Sequence, residues 1–144
     1  MIVLDTNVIS EGMLAEPDPH VINWMDSQAT ESLFLSTISV AELRVGVQLL
    51  PDGHRRDRLH DALERRVLPR FTNRILVFDL PASQEYALLM ASAKLHGRSI
   101  AVSDGFIAAI AAANGMMVAT RDISPFEASG LKTIDPWSYQ GDGA

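Results

Sequence analysis

Short unbroken apolar runs alternate along this chain with longer stretches whose apolar residues recur every three or four positions. Ile2-Val3-Leu4 is such a run, rich in β-branched residues, and reads as a buried strand. Thr6-Asn7 opens a helix that stops before Gly12. Pro17 and Pro19 introduce a second helix with Val21, Ile22, Trp24 and Met25 on its apolar side. Ser32 to Ile38 reads as a second strand, and Ser39 opens a helix with Val40, Leu43, Val47 and Leu50 on one face. Beyond the break at Pro51-Asp52-Gly53, residues Arg55 to Arg70 are amphipathic through Leu59, Leu63 and Val67. Arg74 to Asp79 predicts a third strand. Pro81 to His96 predicts a helix with Tyr86, Leu89, Met90 and Ala93 inward and Gly97 as its C′ residue. Ala101 to Ser103 is a short approach to a helix over Asp104 to Asn114, which Gly115 ends. Met116 to Ala119 and Leu131 to Ile134 predict the last two strands, and the polar, Gly-containing stretch Ser138 to Ala144 a frayed tail.

Strands and helices of these lengths in alternation predict one α/β domain over residues 1–137, with helices on both sides of a mostly parallel central sheet in three layers. Ligands of such sheets sit at the carboxyl ends of the strands. Four apolar stretches lead into an isolated carboxylate: Asp5 after Ile2-Val3-Leu4, Glu42 after Leu33 to Val40, Asp104 after Ile100-Ala101-Val102, and Asp122 after Met116 to Ala119. Acids gathered at one sheet edge raise one another's pKa unless a cation joins them. Mg²⁺ or Mn²⁺ prefers such all-oxygen surroundings. The pattern therefore suggests a divalent-metal site acting on phosphodiesters.

Each acid also has a structural role open to it. Asp5 is able to cap the first helix, and Ser39-Val40-Ala41-Glu42 is formally a capping box. Asp104 suits the positive end of its helix, and Asp122 a turn after Thr120-Arg121. Competing chemistries lack their residues. There is no Walker motif, no Gly-rich dinucleotide loop after Leu4 and no Gly-x-Ser-x-Gly elbow. Asp5-Thr6-Asn7 resembles the Asp-x-Asp start of haloacid-dehalogenase-type phosphatases without its second Asp. A phospho-receiver domain would need an acidic neighbour for Asp5. The histidines at 20, 54, 60 and 96 have no metal-ligand spacing and read as surface residues.

Composition narrows the choice further. With no cysteine among 144 residues, disulfides, thiolate metal sites and a Cys nucleophile are excluded. The longest stretch without a polar residue, Phe106 to Ala113, is too short for a membrane span, and the N-terminus does not read as a signal peptide, so a cytoplasmic protein is expected. A formal charge of −6 argues against a broad basic surface for duplex nucleic acid. Yet seven of the twelve Lys and Arg residues fall between Arg55 and Arg74. That segment is either a local phosphate-facing strip or a solvated helix face with pairs such as Asp61 and Arg65.

Four blocks together carry a resemblance: Met1 to Ser10, Ser39 to Gly46, Ser103 to Ala109 and Ala119 to Asp122. In order and spacing they resemble the motifs of PIN-domain proteins, most closely the VapC-like toxins of type II toxin–antitoxin systems and their FitB-like subgroup. The ending Asp135-Pro136-Trp137 is similar too. The resemblance implies a divalent-metal-dependent endoribonuclease neutralised by a cognate antitoxin. It maps catalytic acids onto Asp5, Glu42, Asp104 and Asp122, and polar helpers onto Asn7 and Thr120. Asp5, Asp104 and Asp122 are then the expected ligands of Mg²⁺, for which Mn²⁺ would substitute, and Glu42 orients the nucleophile. The expected partners are RNA, the antitoxin, DNA only through that antitoxin, and further copies of the chain in a homodimer or larger assembly. A second possibility is a scaffold subunit of an antitoxin–DNA repressor complex with little nuclease activity. Its docking groove would be formed by Trp24, Leu43, Val47 and Leu50.

Overall fold

A computed structural model describes residues 1–141; the part of the predicted frayed tail at 142–144 lies outside the described residues. Five strands form one all-parallel sheet in the order β3-β2-β1-β4-β5: β1 Ile2–Leu4, β2 Leu33–Ser36, β3 Ile75–Leu76, β4 Met117–Ala119 and β5 Thr133–Ile134. Seven α-helices connect them: α1 Thr6–Gly12, α2 Pro19–Ser27, α3 Thr37–Gln48, α4 His54–Asp61, α5 Leu80–Leu95, α6 Val102–Ala113 and α7 Ser124–Ala128. Alternation along the strands divides the core in two. Ile2, Leu4, Leu33 and Leu35 point into a cluster with Val8, Trp24, Leu43, Val47 and Leu63, on the side of α1 to α4. Val3, Phe34 and Val118 point the other way, towards Leu89, Ile107, Ala108 and Phe126 of α5 to α7. This is the expected three-layer α/β architecture, with strands apolar on both faces because both faces are covered. Among the described residues no helix is long and apolar enough to cross a membrane.

Several boundaries differ from expectation for local reasons. The second strand stops at Ser36 because its hydroxyl accepts the Ser39 N–H at 3.1 Å and caps α3, which therefore starts at Thr37 rather than Ser39. The third strand shortens to Ile75–Leu76, the two residues that pair with Leu35 and Ser36. Helix α6 begins at Val102 rather than Asp104, taking in most of the expected approach, with Ile100 buried just before it. The helix from His54 widens into a π-helical stretch over Ala62–Val67 and a 3₁₀ turn over Leu68–Phe71. Helix α7 was not anticipated, although Pro125 near its start is a recognisable signal and Phe126 anchors it in the core. At the C-terminus, Pro136–Ser138 forms a 3₁₀ turn, and Trp137 and Tyr139 pack against the first core.

Candidate active site

The strand order decides where the acids meet. β1 lies between β2 and β4, and the connections lead to one side after β1 and to the other after β4, so the topological switch falls between those two strands. Asp5 follows β1 and Thr120 follows β4 at this point. The strands are still paired there, with the Asp5 N–H donating to the Ala119 carbonyl at 2.9 Å and the Thr120 N–H to the Ile134 carbonyl at 2.9 Å. Glu42 comes in on α3 from the neighbouring β2, and Asp104 on the first turn of α6. Gly105 allows α6 to come close to α5 here, since a Cβ in its place would meet Met90 Sδ at 3.0 Å and Tyr86 Cε2 at 3.1 Å.

Asp5 is buried and serves two purposes. One carboxylate oxygen caps α1 by accepting the Thr6 N–H at 2.8 Å; the other accepts the Thr120 hydroxyl at 2.8 Å. Thr120 is wholly buried and fully used. Its one proton goes to Asp5, and its lone pairs receive the Asp122 N–H at 3.1 Å and Asn7 Nδ2 at 3.4 Å. The Asp122 backbone is thus turned by Thr120, which leaves the Asp122 carboxylate exposed. Asn7 also accepts the Arg121 N–H at 3.4 Å. Of the two expected helpers, Thr120 bonds a carboxylate directly, while Asn7 contacts Thr120 and the Arg121 backbone.

The capping-box role open to Glu42 is not realised, because Ser36 takes the cap. Instead Glu42 Oε1 accepts the Thr6 hydroxyl at 2.9 Å. Thr6 has only one proton to give and the carboxylate is the better acceptor, so in its 3.0 Å contact with Ser39 Oγ it is the serine that donates. Buried Ser36 and Ser39 stand 3.5 Å apart behind it. Thr6 and these serines were missed by sequence reasoning. The only signal was a hydroxyl beside Asp5, and that also suits a helix start.

Burial, opposed by the Thr120 and Thr6 hydrogen bonds and assisted by the charges of Glu42 and Asp122, raises the Asp5 carboxyl above its ordinary value. Burial raises Asp104 as well, together with the charges of Asp5, Asp122 and Glu42. The four acids therefore share one electrostatic field. None of them takes part in an ion pair among the described residues. Among those residues no three acidic or histidine side chains stand together in a group able to hold a metal ion. The donor chemistry fits a hard divalent cation even so: carboxylates held by hydroxyl and amide groups, without sulfur or imidazole. The four histidines are exposed and apart from this site. The proposed docking stripe is core instead, with Trp24, Leu43 and Val47 buried and only Leu50 partly exposed.

Comparison with known proteins agrees with this geometry. The PIN domain family model matches residues 2–129. The chain is 58% identical over 137 residues to the VapC ribonuclease Y4jK of Sinorhizobium fredii (strain NBRC 101917 / NGR234), covering 95% of this chain and 98% of that protein. It is 47% identical over 137 residues to Toxin FitB of Neisseria gonorrhoeae (strain ATCC 700825 / FA 1090), covering 95% and 99% respectively. A solved structure of FitAB bound to an IR36 DNA fragment superposes with a TM-score of 0.92 at 45% identity, covering 99% of this chain and 100% of that one. With its sheet order, its acids at the switch point and relatives matched nearly end to end, the chain belongs to the PIN-domain family.

Proposed function

We propose that this protein is the toxin of a type II toxin–antitoxin pair and acts as an endoribonuclease hydrolysing RNA phosphodiesters. The observation that supports this reading is that Asp5, fixed by Thr120, and Asp104 feel each other's charge and those of Glu42 and Asp122, with none of the four in an ion pair among the described residues. Asp5, Asp104 and Asp122 would hold Mg²⁺, or Mn²⁺ in its place. When bound, the cation supplies charge neutralisation at the phosphoryl oxygens and eases deprotonation of the attacking water. Thr120 and Asn7 fix the Asp5 carboxylate and the turn that presents Asp122, as groups behind metal ligands commonly do. Glu42, steadied by Thr6, would orient the water. Single-stranded RNA suits this acidic surface better than a long duplex, because its exposed bases offer contacts independent of phosphate charge.

In this reading the activity is cytoplasmic, the chain assembles as a dimer or larger, and a cognate antitoxin both blocks the nuclease and brings the complex to DNA. The relation to FitAB bound to DNA favours a second role as the scaffold of such a repressor complex, compatible with the first. The deciding experiment is RNA cleavage by the isolated protein with Mg²⁺, Mn²⁺ or chelator. Metal-dependent cleavage lost in Asp104→Asn and Glu42→Gln supports the nuclease; equal cleavage by wild type and Asp104→Asn overturns the assignment.

A further inference from the structure

A protein of charge −6 that cuts a polyanion must place its few free cations well. The acids lie along the sheet edge in strand order, Glu42 after β2, Asp5 after β1 and Asp122 after β4. A cleft opens on each flank, and each contains one arginine. On the Asp122 side, Arg98, Ser99, Asp122, Ser124 and Glu127 line a cleft of ≈ 510 Å³. On the Glu42 side, Thr6, Ser10, Glu42 and Arg55 share a groove of ≈ 260 Å³ with the apolar side chains of Met13, Leu14, Leu43, Val47, Leu50 and Leu59.

Three of the six other arginines between Arg55 and Arg74 are already occupied. Arg56 pairs with Asp52 and Gln48, Arg65 with Asp61, and Arg74 with the carbonyls of Thr30, Leu33 and Arg70. Arg55 and Arg98 are exposed and, among the described residues, form no ion pair or side-chain hydrogen bond, although each shares a cleft with an acid of the site. A guanidinium that leaves an adjacent carboxylate alone keeps its planar fork free for phosphate.

We propose that Arg55 and Arg98 are positioning residues for the RNA backbone. They seat phosphates on either side of the scissile one, so that the strand crosses the acids along the edge from Glu42 to Asp122. The hydroxyls of Ser99 and Ser124 add donors in the Arg98 cleft. The inference rests on the endoribonuclease reading and supplies what that reading lacks, a means of holding a polyanion across an acidic site.

The test is steady-state cleavage of single-stranded RNA with Mg²⁺ at several salt concentrations. Arg55→Ala and Arg98→Ala should each raise KM roughly 10-fold with kcat little changed, as expected for one charged hydrogen-bonding contact. Each should also flatten the dependence of log(kcat/KM) on log salt by about 0.7, the contribution of one phosphate on a single strand. Lysine at either position should restore the salt slope, and Arg66→Ala, which removes an exposed arginine lining neither cleft, should change nothing. An active enzyme whose KM and salt slope survive both alanine changes would overturn the RNA path while sparing the nuclease reading. Unchanged slopes with weakened antitoxin binding would also overturn it and reassign both arginines to the protein interface. A wild type that cuts no RNA with either metal would sink the nuclease reading and this path with it.

Discussion

Thr120 holds the site together through a single oxygen. Its hydroxyl gives a proton to Asp5 and takes the Asp122 N–H, so one atom connects the end of β1 to the turn that follows β4. Thr120→Val keeps the shape and removes the hydroxyl, leaving a buried carboxylate oxygen and a backbone donor without partners. The expected cost is about 1–3 kcal/mol, whereas Thr120→Ser should retain most of the stability; denaturant titration of the three proteins checks both. Asp104 gives a prediction of opposite sign. Its carboxyl is raised by burial and by its acidic neighbours, so the folded state binds a proton more readily than the unfolded chain. Its contribution to stability is full below the ordinary value of 3.8 and is lost as pH rises through the raised one. In chelator, Asp104→Asn should therefore melt above wild type at neutral pH, and the gain should vanish in acid. A gain independent of pH would show that the neighbouring charges are not responsible.

At the scale of elements, periodicity located the sheet and its flanking helices because burial on both faces leaves unbroken apolar strands. It placed the start of α3 too late because Ser36 and Ser39 are equally good caps on paper. The choice fell to Ser36, where the strand must end and the buried hydroxyl finds the Ser39 N–H. With the cap three residues earlier, Glu42 is free of the capping box and accepts the Thr6 hydroxyl instead. All four acids were visible in the sequence as strand-exit or helix-start residues, but the Thr6 hydroxyl holding Glu42 was not, since a contact across 36 positions leaves no local pattern. Helix α3 also carries a glycine with no structural need. Gly46 lies inside the helix, and a Cβ there would meet nothing within 4 Å. Gly46→Ala should stabilise the fold by about 0.5–1 kcal/mol, raising Tm by about 2–4 °C. A lower Tm would mean that this stretch of α3 packs differently.

For the whole molecule, four acids without ion-pair partners among the described residues carry a mutual repulsion that a bound cation would relieve. Binding to the native state alone stabilises by mass action, by about 2.7 kcal/mol at a hundred times Kd. Mn²⁺ at millimolar concentration should therefore raise the Tm of wild type, and Asp5→Asn or Asp104→Asn should lose most of the rise. A wild-type Tm indifferent to Mn²⁺ would show that these oxygens do not gather around a metal.

Trp137 lies on the C-terminal 3₁₀ turn, packed against the first core, and the Arg121 guanidinium rests 5.1 Å from its ring centroid, one residue from Asp122. The other tryptophan, Trp24, is 1% exposed within that core. The protein thus has its own optical reporter. A cation near Asp122 should repel Arg121 from the indole face and change the emission of Trp137 while Trp24 stays constant. Titration with Mg²⁺, which does not itself quench indole, should follow the loading of the site without a label, and Trp137→Phe should silence the signal and leave the folded protein otherwise intact.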